Sequence, residues 1–137
     1  MTIDDINNKN LVLISYLNSI IEGYKVKAEY STNDNDIKVI VVQETSGNKV
    51  VFYDANPLFN YYNIDIYGDN IKDAKETSVI IGNLIGNNIY LDYKVENEIQ
   101  KWQIMFKQFT NPRTIAYEDI RRVSYTATLQ CIVNRIS

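Results

Sequence analysis

From Leu58 to Tyr67 the apolar side chains Leu58, Tyr62, Ile64 and Ile66 fall on one parity, with Asn60 the exception, and Asn63 and Asp65 on the other. A period of two predicts a half-buried strand. Gly68-Asp69-Asn70 interrupts it, and either Asp69 or Asn70 can cap a following helix. Ile71, Ala74, Ser78, Ile81 and Ile85 then recur at steps of three and four, within an arc of about 80° at helical spacing. Lys72, Lys75, Glu76 and Asn83 lie off that arc. Leu58–Asn87 therefore predicts a strand running into an amphipathic helix that folds back onto its own sheet.

The rest of the chain divides in the same way. Thr2-x-x-Asp5 is a weak capping box, followed by a helix from about Ile3 to Glu22. Ile6, Leu13, Ile14, Leu17, Ile20 and Ile21 share its apolar face, and Gly23 stands where a left-handed residue would end it. Tyr24–Tyr30 alternates Tyr24, Val26, Ala28 and Tyr30 with Lys25, Lys27 and Glu29, a strand with one wet face. Ser31–Asp36 is a polar loop. Ile37–Glu44 is a nearly unbroken, β-branched run, which favours a central strand. Thr45–Asn48 is a turn, Val50–Tyr53 is a short strand or an ordered loop, and Asn56-Pro57 ends it.

Beyond Gly86-Asn87-Asn88, Ile89, Leu91 and Tyr93 alternate with Tyr90, Asp92 and Lys94, and Glu96-Asn97-Glu98 makes a tight connection. Within Ile99–Phe109, Trp102, Ile104 and Phe106 oppose Lys101, Gln103 and Lys107. Thr110–Asp119, with Asn111-Pro112, has no clear period and reads as a loop. Arg121–Asn134 has the clearest alternation of all. Val123, Tyr125, Ala127, Leu129, Cys131 and Val133 are inward, and Ser124, Thr126, Thr128, Gln130 and Asn134 outward. The expected architecture is α+β, a two-layer sandwich with two helices packed on one face of a mostly antiparallel sheet. The other sheet face, rich in Thr, Gln, Asn and Tyr, is expected to be wet.

Composition narrows the chemistry. At 137 residues, 45% hydrophobic and 23% charged, the chain has the size and make-up of one ordinary globular domain. No apolar run reaches the roughly 18 residues of a membrane span. Asp4, Asp5 and Asn7 stand where a signal peptide would be basic and then apolar, which argues against export by that route. A net charge of −3 argues against a dedicated nucleic-acid binder. Histidine is absent, and with it the commonest general base and transition-metal ligand. Cys131, the lone cysteine, sits on the apolar parity of its strand and reads as a core residue. Asp34 and Asp36, interleaved with Asn33 and Asn35, lack the glycine and terminal glutamate of a calcium loop. Gly82-x-x-x-Gly86 matches no phosphate-binding pattern and fits helix packing. No catalytic residue, cofactor or metal is expected.

Tyrosine is abundant, with 11 in the chain. Strand propensity and packing account for tyrosine in strands; contact surface is the other reading. Val79 and Ile80 fall off the core arc of their helix, so a monomer would expose them. Val79, Ile80, Tyr61 and Tyr67 are therefore candidate subunit contacts. Two irregular stretches are candidate docking loops, since loops on a rigid scaffold carry function. Thr45–Pro57 offers Ser46, Gly47, Asn48, Asn56 and Pro57; Thr110–Asp119 offers Asn111, Pro112 and Arg113, with Arg121 and Arg122 just beyond.

Across nearly its whole length the layout resembles the tail terminator proteins of long-tailed bacteriophages, often labelled minor capsid or tail completion proteins. The resemblance rests on the N-terminal helix, the strand Ile37–Glu44 leading to Ser46-Gly47, and Phe59–Tyr67 followed by the helix Asp69–Asn87. It ends with the Arg121-Arg122 strand, in which Tyr125, Ala127 and Leu129 alternate inward. The chain departs from the pattern at Val50–Pro57, where the family often carries a longer glycine- and proline-bearing loop. The resemblance implies a structural virion protein, assembled in the host cytoplasm without a membrane, that forms a homo-oligomeric ring, commonly a hexamer. Such a ring caps the tail tube protein, meets the head–tail connector or stopper, and lets viral DNA pass through its lumen without specific binding. A neighbouring neck or tube subunit, and an unrelated monomeric α+β binding module, are the other readings.

Overall fold

Among the described residues of the computed structural model, two helices and six strands follow one another in the order α1 (Ile3–Ile20), β1 (Lys25–Lys27), β2 (Val39–Glu44), β3 (Phe59–Gly68), α2 (Ile71–Gly82), β4 (Asn88–Val95), β5 (Glu98–Asp119) and β6 (Arg122–Arg135). The structure describes residues 3–28, 38–44, 59–68, 70–119 and 122–137, with side chains for 8–28, 38–44, 61–68, 70–110, 112–114 and 125–137. The class is α+β. The strands form one mixed sheet in the order β1-β2-β3-β6-β5-β4.

Helix α1 buries Leu13, Ile14 and Leu17 of the expected face, with Ile21 just beyond its end; Val12, outside that face, is buried as well, Ile20 is half-buried, and Ser15, Asn18 and Ser19 are exposed. The Ile21 N–H still donates to the Leu17 carbonyl at 3.0 Å, and Gly23 then takes φ +81, the left-handed turn-off that glycine adopts without penalty. Asn18 at the end of α1 guides the next strand: its Oδ1 accepts the Val26 N–H at 3.2 Å. Strand β1 is shorter than expected, and it pairs with β2 in parallel, Lys25 beside Val39. An antiparallel hairpin was expected for consecutive strands. The eleven residues from 28 to 38 give about the length that a parallel return requires. The four remaining strand pairs are antiparallel.

The β3–β6 register sets Tyr62 beside Leu129, Ile64 beside Ala127 and Ile66 beside Tyr125, so the inward parities of the two central strands coincide. Ile40, Val42, Trp102, Ile104, Phe106, Cys131 and Val133 extend this surface, and α1 joins it together with Ala74 and Ile81 of α2 in one apolar core. The opposite parity is not uniformly wet. Val39, Val41, Thr126 and Ile132 are buried there, Gln43 and Asn63 are exposed, and Tyr61, Asp65 and Tyr67 are half-buried. Burial at both parities explains why β2 reads as a continuous apolar run.

Of the two possible caps, Asn70 starts α2: its Oδ1 accepts the Asp73 N–H at 2.9 Å. The helix ends at Gly82, short of the expected Asn87. Leu84 and Ile85 fold into tighter three-residue turns, and Gly86, at φ +90, donates its N–H to the Phe106 carbonyl at 2.9 Å. Strand β5 thereby captures the chain before the helix can continue.

Strand β5 also corrects the Thr110–Asp119 loop. The ladder with β6 runs on to Asp119 beside Arg122, but its register shifts between Phe106 and Gln108, Thr110 and Arg113, Thr114 and Ala116, and Tyr117 and Asp119. At each shift β5 carries one residue more than β6, which is a β-bulge. A one-residue bulge reverses which parity faces the core. Repeated reversals erase the period of two that identifies a strand in sequence. They also bring Phe109 inward beside Leu129, although it is an odd residue and Phe106 an even one.

Candidate subunit-contact surfaces

Helix α2 presses Ala74, Thr77, Ser78 and Ile81 against the sheet. The two hydroxyls are satisfied within the helix, Thr77 donating to the Asp73 carbonyl at 2.9 Å and Ser78 to the Lys75 carbonyl at 2.8 Å. That burial rotates Val79 and Ile80 outward, where they are 57% and 42% exposed. Their exposure is what the helical arc predicts. Two adjacent β-branched side chains in water leave a ridge whose burial would be worth about 1.5–3 kcal/mol each if complete.

Tyr61 and Tyr67 do not join that ridge. Both lie on the odd parity of β3, opposite the parity that α2 packs against. Both are half-buried, and the Tyr61 hydroxyl accepts from Gln130 Nε2 at 3.2 Å. The four expected contact residues thus occupy two surfaces, one on α2 and one on the far side of the sheet.

Among the docking residues, Asn111, Pro112 and Arg113 belong to β5, not to a loop. Pro112 falls within a bulge, the position in a ladder where a missing N–H costs least. Pro112 and Arg113 are exposed, and Arg113 stands beside Thr126 in the register. Arg122 opens β6 beside Asp119. Ser46, Gly47, Asn48, Asn56, Pro57 and Arg121 lie outside the described residues, as do Tyr30, Asp34, Asp36 and Val50–Tyr53.

Two buried titratable groups, Cys131 and Tyr62, are held in their neutral forms. Cys131 is fully buried; burial pushes its thiol up, and the Glu44 carboxylate adds to this against an opposing pull from Lys9. Burial likewise raises the Tyr62 phenol, helped by Cys131 and Glu44. Neither group is set up as a nucleophile. No helix among the described residues is long and apolar enough to cross a membrane.

Further large apolar side chains are exposed, of which Tyr90 belongs to the tyrosines that the contact reading covers. Tyr90 of β4, Ile99 of β5 and Ile136 beyond β6 are 66%, 60% and 51% exposed at one end of the sheet. Tyr90 was already on the outward parity of its strand, so the signal was present. Which other strands would lie beside it was not. Compared with protein-family models and with characterised protein sequences, the chain matches none.

Proposed function

We propose that this protein is a structural ring subunit, a phage tail terminator that caps the tail tube and joins it to the head connector. In this reading the fold is a two-layer sandwich, with α1 and α2 covering one face of the sheet. It works by shape and edge complementarity, with no reactive centre. The Val79–Ile80 ridge carries the proposal: an apolar shoulder on the solvent side of a helix that is otherwise polar there. A head-to-tail contact between this ridge and a different surface of the next copy closes into a ring when its rotation divides a full turn. The bulged half of β5, with Pro112 and Arg113 exposed, is the proposed docking edge for the tube or connector. Bulges re-aim side chains and end further pairing, as a docking rim requires.

The test is assembly of the purified chain, measured as mass in solution and as particle shape by negative-stain microscopy. Closed rings that bind the end of a tail tube support the proposal. Open tubes of indefinite length would assign the chain to the tube, and a monomer at all concentrations would make it an isolated binding module.

A further inference from the structure

Strand β4 has one neighbouring strand, β5, among the described residues, and its register with β5 is unbroken from Asn88 to Val95. Phe106 donates its N–H to the Asn87 carbonyl at 3.1 Å. Antiparallel ladders alternate, so the odd residues of β4 exchange hydrogen bonds with β5. The amides of Asn88, Tyr90, Asp92 and Lys94 therefore point away from the sheet. On the core side Ile89, Leu91, Tyr93 and Val95 are only half-buried. An eight-residue edge whose outward backbone groups have no strand partner among the described residues, beside an unfinished apolar stripe, is a template for another strand.

We propose that this other strand is β4 of a second copy, running antiparallel about a two-fold axis through Tyr93. The charge pattern selects both the partner and the register. With Tyr93 opposite Tyr93 of the partner subunit, Asp92 faces the partner's Lys94 and Lys94 faces the partner's Asp92, two opposite-charge pairs on adjacent strands. Shifting the axis to Asp92 would set two aspartates against each other. In the Tyr93 register the outward N–H of Asp92 donates to the carbonyl of the partner's Lys94 and the outward N–H of Lys94 to that of the partner's Asp92, and Leu91 meets the partner's Val95. The intramolecular Lys101–Asp92 bridge, 2.9 Å long, is on the exposed face and contributes little by itself. This contact is separate from the ring contact on α2 and does not depend on it.

Sedimentation velocity of the full chain over a concentration series tests the contact. The wild-type chain is expected to form species with an even number of copies. Lys94→Glu, which turns both attractive pairs into repulsive ones, is expected to halve their mass with an unchanged far-UV spectrum. The exchange Asp92→Lys with Lys94→Asp preserves both pairs with their signs reversed and is expected to restore the wild-type mass. In the background Val79→Lys with Ile80→Lys, which removes the ring contact, a dimer sensitive to Lys94→Glu is expected to remain. The proposal is overturned if Lys94→Glu assembles as the wild type does, if the folded exchange variant fails to recover, or if that background is monomeric. Absence of rings alongside a Lys94-sensitive dimer would instead defeat only the ring reading.

Discussion

The Tyr24 hydroxyl donates a 2.8 Å hydrogen bond to Asp73, tying the chain just before β1 to the first turn of α2. Lys38, entering β2, lies 3.0 Å from the same carboxylate oxygen and 5.5 Å from the centre of the Tyr24 ring. Gly68, the last residue of β3, leaves the room: a Cβ there would meet the Tyr24 hydroxyl at 2.6 Å. The entries to β1 and β2 and the first turn of α2 meet at this one carboxylate.

Tyr24→Phe should lower stability by about 1.5–3 kcal/mol, the range for a hydrogen bond to a charged group. Gly68→Ala should be costly in the wild-type chain and less so in Tyr24→Phe, where the obstructing hydroxyl is gone. A double-mutant cycle by urea denaturation measures this. Strictly additive costs would mean that the two sites do not touch.

The Tyr24 hydrogen bond, and after it Lys38, hold the Asp73 carboxyl below its ordinary value, against a smaller opposing effect of burial. A carboxylate lowered in the folded state adds stability above its unfolded pKa of about 4 and loses it as the pH falls through the folded value. Asp73→Asn should therefore flatten the acid limb of the stability–pH curve, and Tyr24→Phe should do so in part. An acid limb identical to wild type in Asp73→Asn would refute the assignment.

The Tyr62 hydroxyl is buried with no hydrogen-bond partner among the described residues. An orphaned polar group offsets part of what its ring contributes, so Tyr62→Phe should leave stability unchanged or raise it by about 1 kcal/mol. A urea midpoint well below wild type would mean that the hydroxyl has a partner in solution.

Cys131 should resist alkylation in the folded chain at pH 8, reacting no faster than the protein opens. Its raised thiol favours the folded state below the unfolded pKa of about 8.5, and that contribution fades as the pH climbs through the folded value. Rapid labelling without unfolding, followed by mass spectrometry, would contradict the burial.

Val79→Lys with Ile80→Lys should disperse rings while changing the melting of the isolated subunit little, within about 0.5 kcal/mol, since both side chains are exposed. Light scattering that shows intact assembly would remove α2 from the ring contact.

How much of this could be read in advance varies along the chain. The β3–α2 unit was visible because its period changes from two to 3.6 at a capping residue, Asp69 or Asn70, and the outward Val79–Ile80 pair followed from that geometry; the structure chose Asn70. The Thr110–Asp119 half of β5 was not, because each bulge reverses the parity from which a strand is recognised. Tyr61 and Tyr67 were put in one contact set with Val79 and Ile80 on tyrosine abundance. Their parity already placed them on the other face of the strand. The Tyr24–Asp73–Lys38 cluster had no local signal at all, since its members come from three separate segments.

Element order, the inward parities of β3, β4 and β6, the capped start of α2 and the core position of Cys131 were determined by the sequence alone. They depend on neighbours within a few residues, and local periodicity encodes them. The parallel β1–β2 pair, the early end of α2 at Phe106, burial of β2 at both parities and the open edge at β4 were decided by tertiary structure. Each depends on which distant backbone lies alongside, and a single strand's pattern of apolar and polar positions carries no record of its neighbours.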